Sequence, residues 1–202
     1  MKMKFMLVSV LMSLSVAVWS AQGAATVTDE VKKVVDEVIR IVASKELKKS
    51  QNEGKRRAEL NKTIGSIFNY GQMAKLSMGA HWKKRTPAEQ KTFISLFETL
   101  LENSYANKIE SYNNEKIIYL KENVEGDYAE VKSKVITTKG EEFTLDYRMS
   151  KQGSKWMVHD VVIEGVSLVA NYRSQFNRVI QTQGYDALVK KLQSKGTEIK
   201  PL

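Results

Sequence analysis

Two neighbouring stretches in which apolar and polar residues alternate constrain the fold of this chain more than any other feature. One runs from 128 to 138 and the other from 143 to 149. The positions on the predicted inner side are Ala129, Val131, Ser133, Val135, Phe143, Leu145, Tyr147 and Met149. A period of two is typical of strands with one buried and one solvated face. Because only the turn around Lys139-Gly140 separates the two stretches, we predict a hairpin with one strongly apolar face.

Two further strands extend this hairpin into a meander. One strand is predicted from Lys116 to Glu122, and another from Trp156 to Ile163 after a turn at 152–154. Short connections of this kind join antiparallel neighbours. The sequence therefore predicts a four-stranded antiparallel sheet.

Several helices precede the sheet. A helix is predicted from Thr26 to about Lys45, because its apolar residues recur at steps of three and four. Those residues are Val31, Val34, Val35, Val38, Ile41 and Val42. The segment 45–57 is almost entirely polar and is predicted as a loop or a weak helix, and short helices are predicted around 60–68 and 73–82.

The clearest local signal begins the longest predicted helix. Thr86 is a good N-cap, Pro87 suits the first helical position, and Glu89 completes a capping box. The apolar stripe behind it contains Phe93, Leu96, Phe97, Leu100, Leu101, Tyr105, Ile109 and Tyr112. This stripe has to lie on another apolar surface.

The stretch VVIEGVSLVANYRSQF (161–176) changes from a strand pattern to a helical pattern within two residues. We predict that Gly165 makes the turn and that Ser167 caps a helix reaching about Gln183, followed by a final short helix and a polar tail. The whole order predicts an α+β fold in which a curved sheet and its helices form a cone with an apolar interior. The pattern does not decide whether that interior is solid or open.

The first 25 residues have the layout of a secretory signal peptide. Lys2 and Lys4 precede an uncharged apolar stretch from 5 to 19, and small residues then allow cleavage after Gly23 or Ala25. About 15 apolar residues fall short of the roughly 20 that span a bilayer. The chain contains no Cys, which excludes a lipoprotein anchor. We predict that 1–25 is a cleaved signal peptide, that 26–202 is one domain, and that the protein is periplasmic.

The charge of the chain bears on its partners. The formal net charge is +9, which becomes +7 when Lys2 and Lys4 leave with the signal peptide. Nucleic acid is the usual partner of a basic protein, but an exported protein rarely meets it. Anionic lipid headgroups or acidic protein surfaces are the favoured partners. Many of these charges are also expected simply to solvate helix faces.

The sequence contains no pattern for metal binding or catalysis. Neither His81 nor His159 has metal-ligand spacing, and no Gly-rich phosphate loop or nucleophile elbow occurs. Asp160 is predicted on the same strand face as Trp156 and Val158, so as a buried carboxylate it needs a partner. We predict a structural ion pair between Asp160 and Arg173. No catalytic residue, metal or cofactor is predicted.

Trp82 stands next to Lys83, Lys84 and Arg85, and such a cluster also suits a membrane surface. We favour an aromatic side chain packed at a helix end.

Two stretches carry a family resemblance. The first runs from Gly79 to Tyr105 and the second from Tyr147 to Phe176. The matching residues are Gly79, Trp82, Lys83, Thr86-Pro87-Ala88-Glu89-Gln90, Phe93, Phe97, Tyr105, Tyr147, Gly153, Trp156, Asp160 and Glu164-Gly165-Val166-Ser167. In order and spacing, over roughly residues 30 to 195, the chain resembles the MlaC family of periplasmic phospholipid-binding proteins. These proteins are also called toluene-tolerance auxiliary components.

The resemblance implies a soluble carrier with a fold like nuclear transport factor 2 and added helices. Such a carrier holds a phospholipid as cargo and passes it between an outer-membrane lipoprotein–porin complex and an inner-membrane ABC transporter. The residues predicted to line the lipid site are Phe97, Leu101, Tyr105, Ile109, Val131, Val135, Phe143, Leu145, Tyr147, Val169, Tyr172 and Phe176.

Two other functions stay open at the level of the sequence. An enzyme of the same fold would use Asp160 or His159 as a general base in a polar pocket. A partner-binding module would have a solid interior and would work through its basic face. The carrier instead requires an apolar cavity.

Overall fold

The computed structural model describes residues 25–194, 199, 201 and 202. The predicted signal peptide lies almost entirely outside these residues. The α-helices are α1 (Val27–Ala43), α2 (Glu53–Gly65), α3 (Tyr70–Met78), α4 (Pro87–Glu110), α5 (Leu168–Gln183) and α6 (Tyr185–Gln193). The strands are β1 (Lys116–Glu125), β2 (Tyr128–Ile136), β3 (Glu142–Gln152), β4 (Lys155–Ile163) and β5 (Val166–Ser167). Short 3₁₀ turns lie at Ser50–Asn52 and Gly79–Lys84.

All five strands form one open antiparallel sheet in the order β1-β2-β3-β4-β5. The predicted α+β fold is confirmed, with one strand more than the four expected. The additional strand, β5, has only two residues and is too short to produce an alternating pattern. The alternation predicted for β2 and β3 is confirmed, since Ala129, Val131, Tyr147 and Met149 are all buried.

The predicted helix boundaries hold best where capping residues are present. Thr86 accepts a hydrogen bond from the Glu89 amide, and the Glu89 carboxylate accepts one from the Thr86 amide. α1 has the same reciprocal pair at Thr26 and Asp29, which the sequence analysis missed. Of the two alternatives predicted for 45–57, a loop or a weak helix, the helix holds in the second half, because α2 begins at Glu53.

Three groups of buried residues make up the interior. The helical cluster joins α3, α4, α5 and α6. The sheet-side cluster lies between α1 and the inner face of β1 to β4. The α1–α2 cluster, built around Ile41, Val42, Leu47 and Leu60, also receives Ile109 and Tyr112 from the end of α4. α1 is therefore the helix that covers the sheet, whereas the start of α4 packs on other helices.

The segment 67–69 ties the helical cluster to the sheet. The Val158 amide donates to the Ile67 carbonyl at 2.7 Å, and the Asn69 amide donates to the Val158 carbonyl at 2.8 Å. Phe68 lies between these residues and packs against both the helical and the sheet-side cluster. One aromatic side chain thus marks the boundary between the two parts of the molecule.

Candidate functional site

Six of the twelve predicted lipid-site residues come together in the helical cluster. Five of them are Phe97, Leu101, Val169, Tyr172 and Phe176, and the sixth, Tyr105, packs against their edge. The Phe97 ring lies edge-on to Tyr172 at 5.5 Å and to Phe176 at 5.8 Å between centroids. Tyr172 and Phe176 are themselves stacked at 5.6 Å. At these distances the rings touch, so side chains fill the space between them.

The polar ends of this aromatic group lie near the C-terminus of the chain. The Tyr172 hydroxyl faces Ser104 and Tyr105, and burial raises the pKa of Tyr172. The Tyr105 hydroxyl accepts a hydrogen bond from the Leu202 amide at 3.2 Å. The prediction of a simple polar tail is wrong, because Ile199 is buried in the helical cluster and Leu202 packs against it.

The other six predicted residues are distributed differently. Val131, Leu145 and Tyr147 belong to the sheet-side cluster, together with Val31, Val34 and Val35 of α1. Ile109 packs on the α1–α2 cluster. Val135 and Phe143 pair directly across β2 and β3, with Val135 buried and Phe143 half-buried. The structure thus assigns the twelve residues to several packing environments, and their part in lipid binding stays a prediction.

Tyr119 was not predicted as a site residue, although it occupies the inner face of the sheet. It pairs with Ser133 across β1 and β2 and packs half-buried against the sheet-side cluster. Its hydroxyl is buried and has no hydrogen-bond partner among the described residues. Burial, helped by the negative charge of Asp36, raises the pKa of Tyr119 to about 12. Period-two spacing within 116–122 was the signal that could have identified this position.

The predicted ion pair between Asp160 and Arg173 is wrong. Asp160 Oδ2 accepts from the Ser167 hydroxyl at 2.6 Å, and Oδ1 accepts from the Val169 amide at 3.0 Å. Arg148 Nη1 completes the set at 3.4 Å from Oδ2. Asp160 therefore anchors the first turn of α5 to β4, where the N-terminal amides of the helix favour a carboxylate.

A β-bulge explains why this prediction failed. Arg148 pairs with Asp160 and the next residue, Met149, pairs with Val158, so His159 is one residue too many in β4. Cross-strand partners share a face of the sheet, and a bulge reverses the alternation beyond it. Asp160 consequently lies on the face of Arg148, opposite Met149 and Val158.

His159 and Asp160 do not form an acid–base pair of the kind an enzyme would need. Both Asp160 oxygens are occupied by the hydrogen bonds to α5. The buried Nδ1 of His159 has no hydrogen-bond partner in the part of the chain that the structure describes. Burial lowers the pKa of His159, and the nearby Arg148 charge lowers it further, against the opposing effect of Asp160. The arrangement supports anchoring rather than proton transfer.

Trp82 is half-buried and packs against the helical cluster, which confirms the favoured prediction for this residue. Its carbonyl accepts a hydrogen bond from the Gln90 amide side chain at 3.2 Å.

Two grooves open on the surface away from the predicted lipid-site residues. The first, of about 300 Å³, lies between α1 and β4 and is lined by Lys33, Val34, Ile67 and Trp156 among others. The second, of about 200 Å³, lies between the turn after α3 and the middle of α5.

Within the described residues, no group of three or more His, Asp and Glu side chains is placed to hold a metal ion. None of the helices in that part of the chain has the length and apolarity to cross a membrane.

This fold defines an α+β protein in which one helix covers an open antiparallel sheet and four helices pack at the edge of that sheet. The MlaC protein family model matches residues 32–194. The chain belongs to the MlaC family, as its sequence resemblance indicated.

This chain matches two curated relatives over about three fifths of their own length. The intermembrane phospholipid transport system binding protein MlaC of Haemophilus influenzae is 27% identical over 126 residues, which are 60% of this chain and 59% of the relative. The toluene tolerance protein ttg2D of Pseudomonas putida is 28% identical over 129 residues, which are 63% of this chain and 60% of the relative.

A solved structure matches more of the fold. It is a phospholipid-binding protein from Ralstonia solanacearum in complex with a phospholipid. The superposition has a TM-score of 0.74 at 28% identity and covers 84% of this chain and 96% of the other.

Proposed function

We propose that this protein is a periplasmic phospholipid carrier, the soluble component of a lipid transport system that connects the outer and inner membranes. The observation that carries the proposal is the match to a phospholipid-binding protein over 96% of that protein's chain. The transport functions named for the two curated relatives support it further. The proposed partners are the inner-membrane ABC transporter and the outer-membrane lipoprotein–porin complex of the family.

The physical need for such a carrier follows from the cost of hydrating acyl chains. A diacyl lipid has on the order of 30 methylene groups, and exposing each to water costs about 0.8 kcal/mol, or roughly 24 kcal/mol in total. A carrier has to replace water with apolar side chains and needs no chemical step. Export through a signal peptide cleaved after Gly23 or Ala25 would deliver the protein to the compartment between the two membranes.

The proposed cargo position is the boundary between the helical cluster and the sheet. Phe68 packs on both sides of this boundary. On the sheet side, Leu145, Ile163 and Tyr119 are only partly buried, so they leave apolar surface accessible. Because the aromatic rings of the helical cluster already touch, entry of acyl chains requires the side chains at this boundary to move.

Native mass spectrometry of protein purified without detergent tests the proposal. We expect a population heavier than the polypeptide by the mass of a phospholipid, and chloroform extraction should release that lipid. Leu145→Gln places an amide on the accessible inner face and should reduce lipid occupancy. Ser150→Gln is the matched control, because Ser150 lies on the other face of the same strand. Protein that contains no extractable lipid, even after incubation with phospholipid vesicles, would overturn the proposal.

A further inference from the structure

The groove between the turn after α3 and the middle of α5 combines an apolar wall with several hydrogen-bond donors. Met78, Gly79 and Ala80 form the apolar part, and His81, Arg173, Ser174 and Asn177 contribute the polar groups. Among these described lining residues none is acidic. A concave surface with several donors and no carboxylate favours an anion.

Arg173 is held in position within this groove. Its Nε donates to the Leu76 carbonyl in the last turn of α3 at 2.8 Å. Its aliphatic part lies 3.5 Å from the place where a Cβ on Gly79 would stand, and Gly79 has φ +53° and ψ −129°. Since L-residues rarely adopt this backbone conformation, glycine is what permits the turn to pass beside the arginine.

The rest of the guanidinium is available for a ligand. The hydrogen bond to Leu76 uses one of its five N–H groups, which leaves the four on Nη1 and Nη2. No carboxylate of the described residues forms a salt bridge with Arg173. A guanidinium fork that is already oriented loses little entropy on binding a phosphate through two parallel hydrogen bonds.

Further donors stand beside this charge. His81 Nε2 and Asn177 Oδ1 are 2.9 Å apart. Because the amide oxygen can only accept, His81 Nε2 donates, and the amide nitrogen of Asn177 keeps two N–H groups of its own. Ser174 adds an exposed hydroxyl on the same helix. Positions 173, 174 and 177 fall on one side of α5 because residues three and four apart are neighbours.

The surroundings add positive charge. Lys83 and Lys84 follow His81 by two and three residues, and both side chains are exposed. Neither forms a salt bridge with any of the described residues, in contrast to Arg85, which pairs with Glu89 at 3.1 Å. Unpaired cations near a groove raise the local concentration of anions.

We propose that this groove binds a phosphate group, either free inorganic phosphate or the phosphate of a lipid headgroup, with Arg173 as the charged contact and Ser174 and Asn177 as neutral donors. This site is separate from the proposed acyl-chain position and does not depend on it.

The test is a titration of the mature chain with inorganic phosphate in which amide chemical shifts are measured by NMR. A parallel titration with chloride at equal ionic strength is the control. We expect saturable shifts at Gly79, His81 and Asn177. Arg173→Gln should weaken binding by about tenfold or more, because it removes a charge-assisted contact. Arg178→Gln is the matched control, since Arg178 is an exposed arginine of the same helix that does not line the groove. It should change binding by less than about twofold.

A second variant guards against misfolding as the cause of lost binding. Ser174→Asp keeps Arg173 and its bond to Leu76 but places a carboxylate in the groove, so it should abolish the phosphate shifts while the thermal midpoint stays near that of the parent. Equal weakening by Arg173→Gln and Arg178→Gln, or no saturable shift in the parent, would overturn the proposal.

Sedimentation with phosphatidylglycerol vesicles separates the two sources of phosphate. Vesicle binding that Arg173→Gln abolishes and Arg178→Gln preserves identifies a lipid headgroup as the ligand. Phosphate shifts without such vesicle binding identify free phosphate. In both cases Arg173→Gln should retain the copurifying lipid of the parent, so failure of the carrier proposal and failure of this one give different results.

Discussion

The helical cluster and the sheet-side cluster bury apolar side chains in different ways. The helical cluster is aromatic, and Phe93, Phe97, Tyr172 and Phe176 are fully buried with each ring 5.5 to 6.2 Å from its neighbours. The sheet-side cluster is mainly aliphatic, and several of its inner-face residues are only half-buried. Tyr119 on the edge strand β1, for example, is only half-buried against this cluster. The comparison indicates that the helices form a fixed support, while the sheet provides the apolar surface that remains accessible.

The largest effect is expected in the helical cluster. Phe97→Ala removes a fully buried ring that contacts Phe93, Tyr172 and Phe176. The free energy of unfolding should fall by about 3–5 kcal/mol, because the interlocked neighbours cannot fill the cavity. Urea unfolding followed by circular dichroism measures this loss. A loss below about 1.5 kcal/mol would mean that the helices can repack and are not a fixed support.

Asp160 joins the two regions, so its removal should have the next largest effect. Asp160→Ala leaves the Ser167 hydroxyl and the Val169 amide without their acceptor. We expect a loss of about 2–4 kcal/mol in the free energy of unfolding. Asp160→Asn should cost less, because one oxygen can still accept from Val169. Glu130→Gln is the surface control, since its 3.5 Å contact with Arg148 is exposed and should contribute below about 0.5 kcal/mol.

The sheet side should respond less in stability. Leu145→Ala truncates a half-buried side chain on the inner face, and we expect a loss of about 1 kcal/mol. Chemical unfolding of Leu145→Ala and Phe97→Ala under the same conditions measures the difference between the two regions. A loss from Leu145→Ala equal to that from Phe97→Ala would show that the two clusters are packed to the same degree.

The smallest expected effect is a pH dependence located on the sheet. Burial lowers the pKa of His159 in the folded protein below its ordinary value of 6.5. The unfolded chain therefore binds a proton at position 159 more readily than the folded protein does. The stability that this difference contributes is present above about pH 6.5 and is lost as the pH falls from there through the lower pKa of the folded protein. His159→Gln should flatten the curve of the free energy of unfolding against pH between about pH 7.5 and 5.5. If the variant and the parent give the same curve, His159 is not the cause of the pH dependence.

Local patterns in the sequence were enough to predict most of the fold. The capping residues Thr86 and Glu89 placed the start of α4, and Ser167 placed the start of α5, where its hydroxyl accepts from the Ala170 amide at 3.0 Å. Gly165 makes the predicted turn with φ +78°. These features depend on neighbours within a few residues, and sequence analysis can therefore identify them.

Features that depend on distant contacts were missed. The start of α2 at Glu53 was left open between loop and weak helix, because the segment is polar and only Leu60 within that helix is buried. Ile199 is buried in the helical cluster, which joins α3, α4, α5 and α6, so its short polar surroundings gave no signal. Six of the predicted lipid-site residues lie outside the helical cluster. They were assigned to the site only because they lie on the apolar face of their strand or helix. A face shows that a residue is covered but does not identify the element that covers it.

The bulge at His159 lets one strand serve two surfaces that regular alternation would keep apart. Residues two apart on a regular strand share a face, so without the bulge Asp160 would lie on the inner side of the sheet with Val158 and Met149, opposite the face of Ser167. With the bulge, β4 contributes Val158 to the apolar interior and, two residues later, a carboxylate to the first turn of α5.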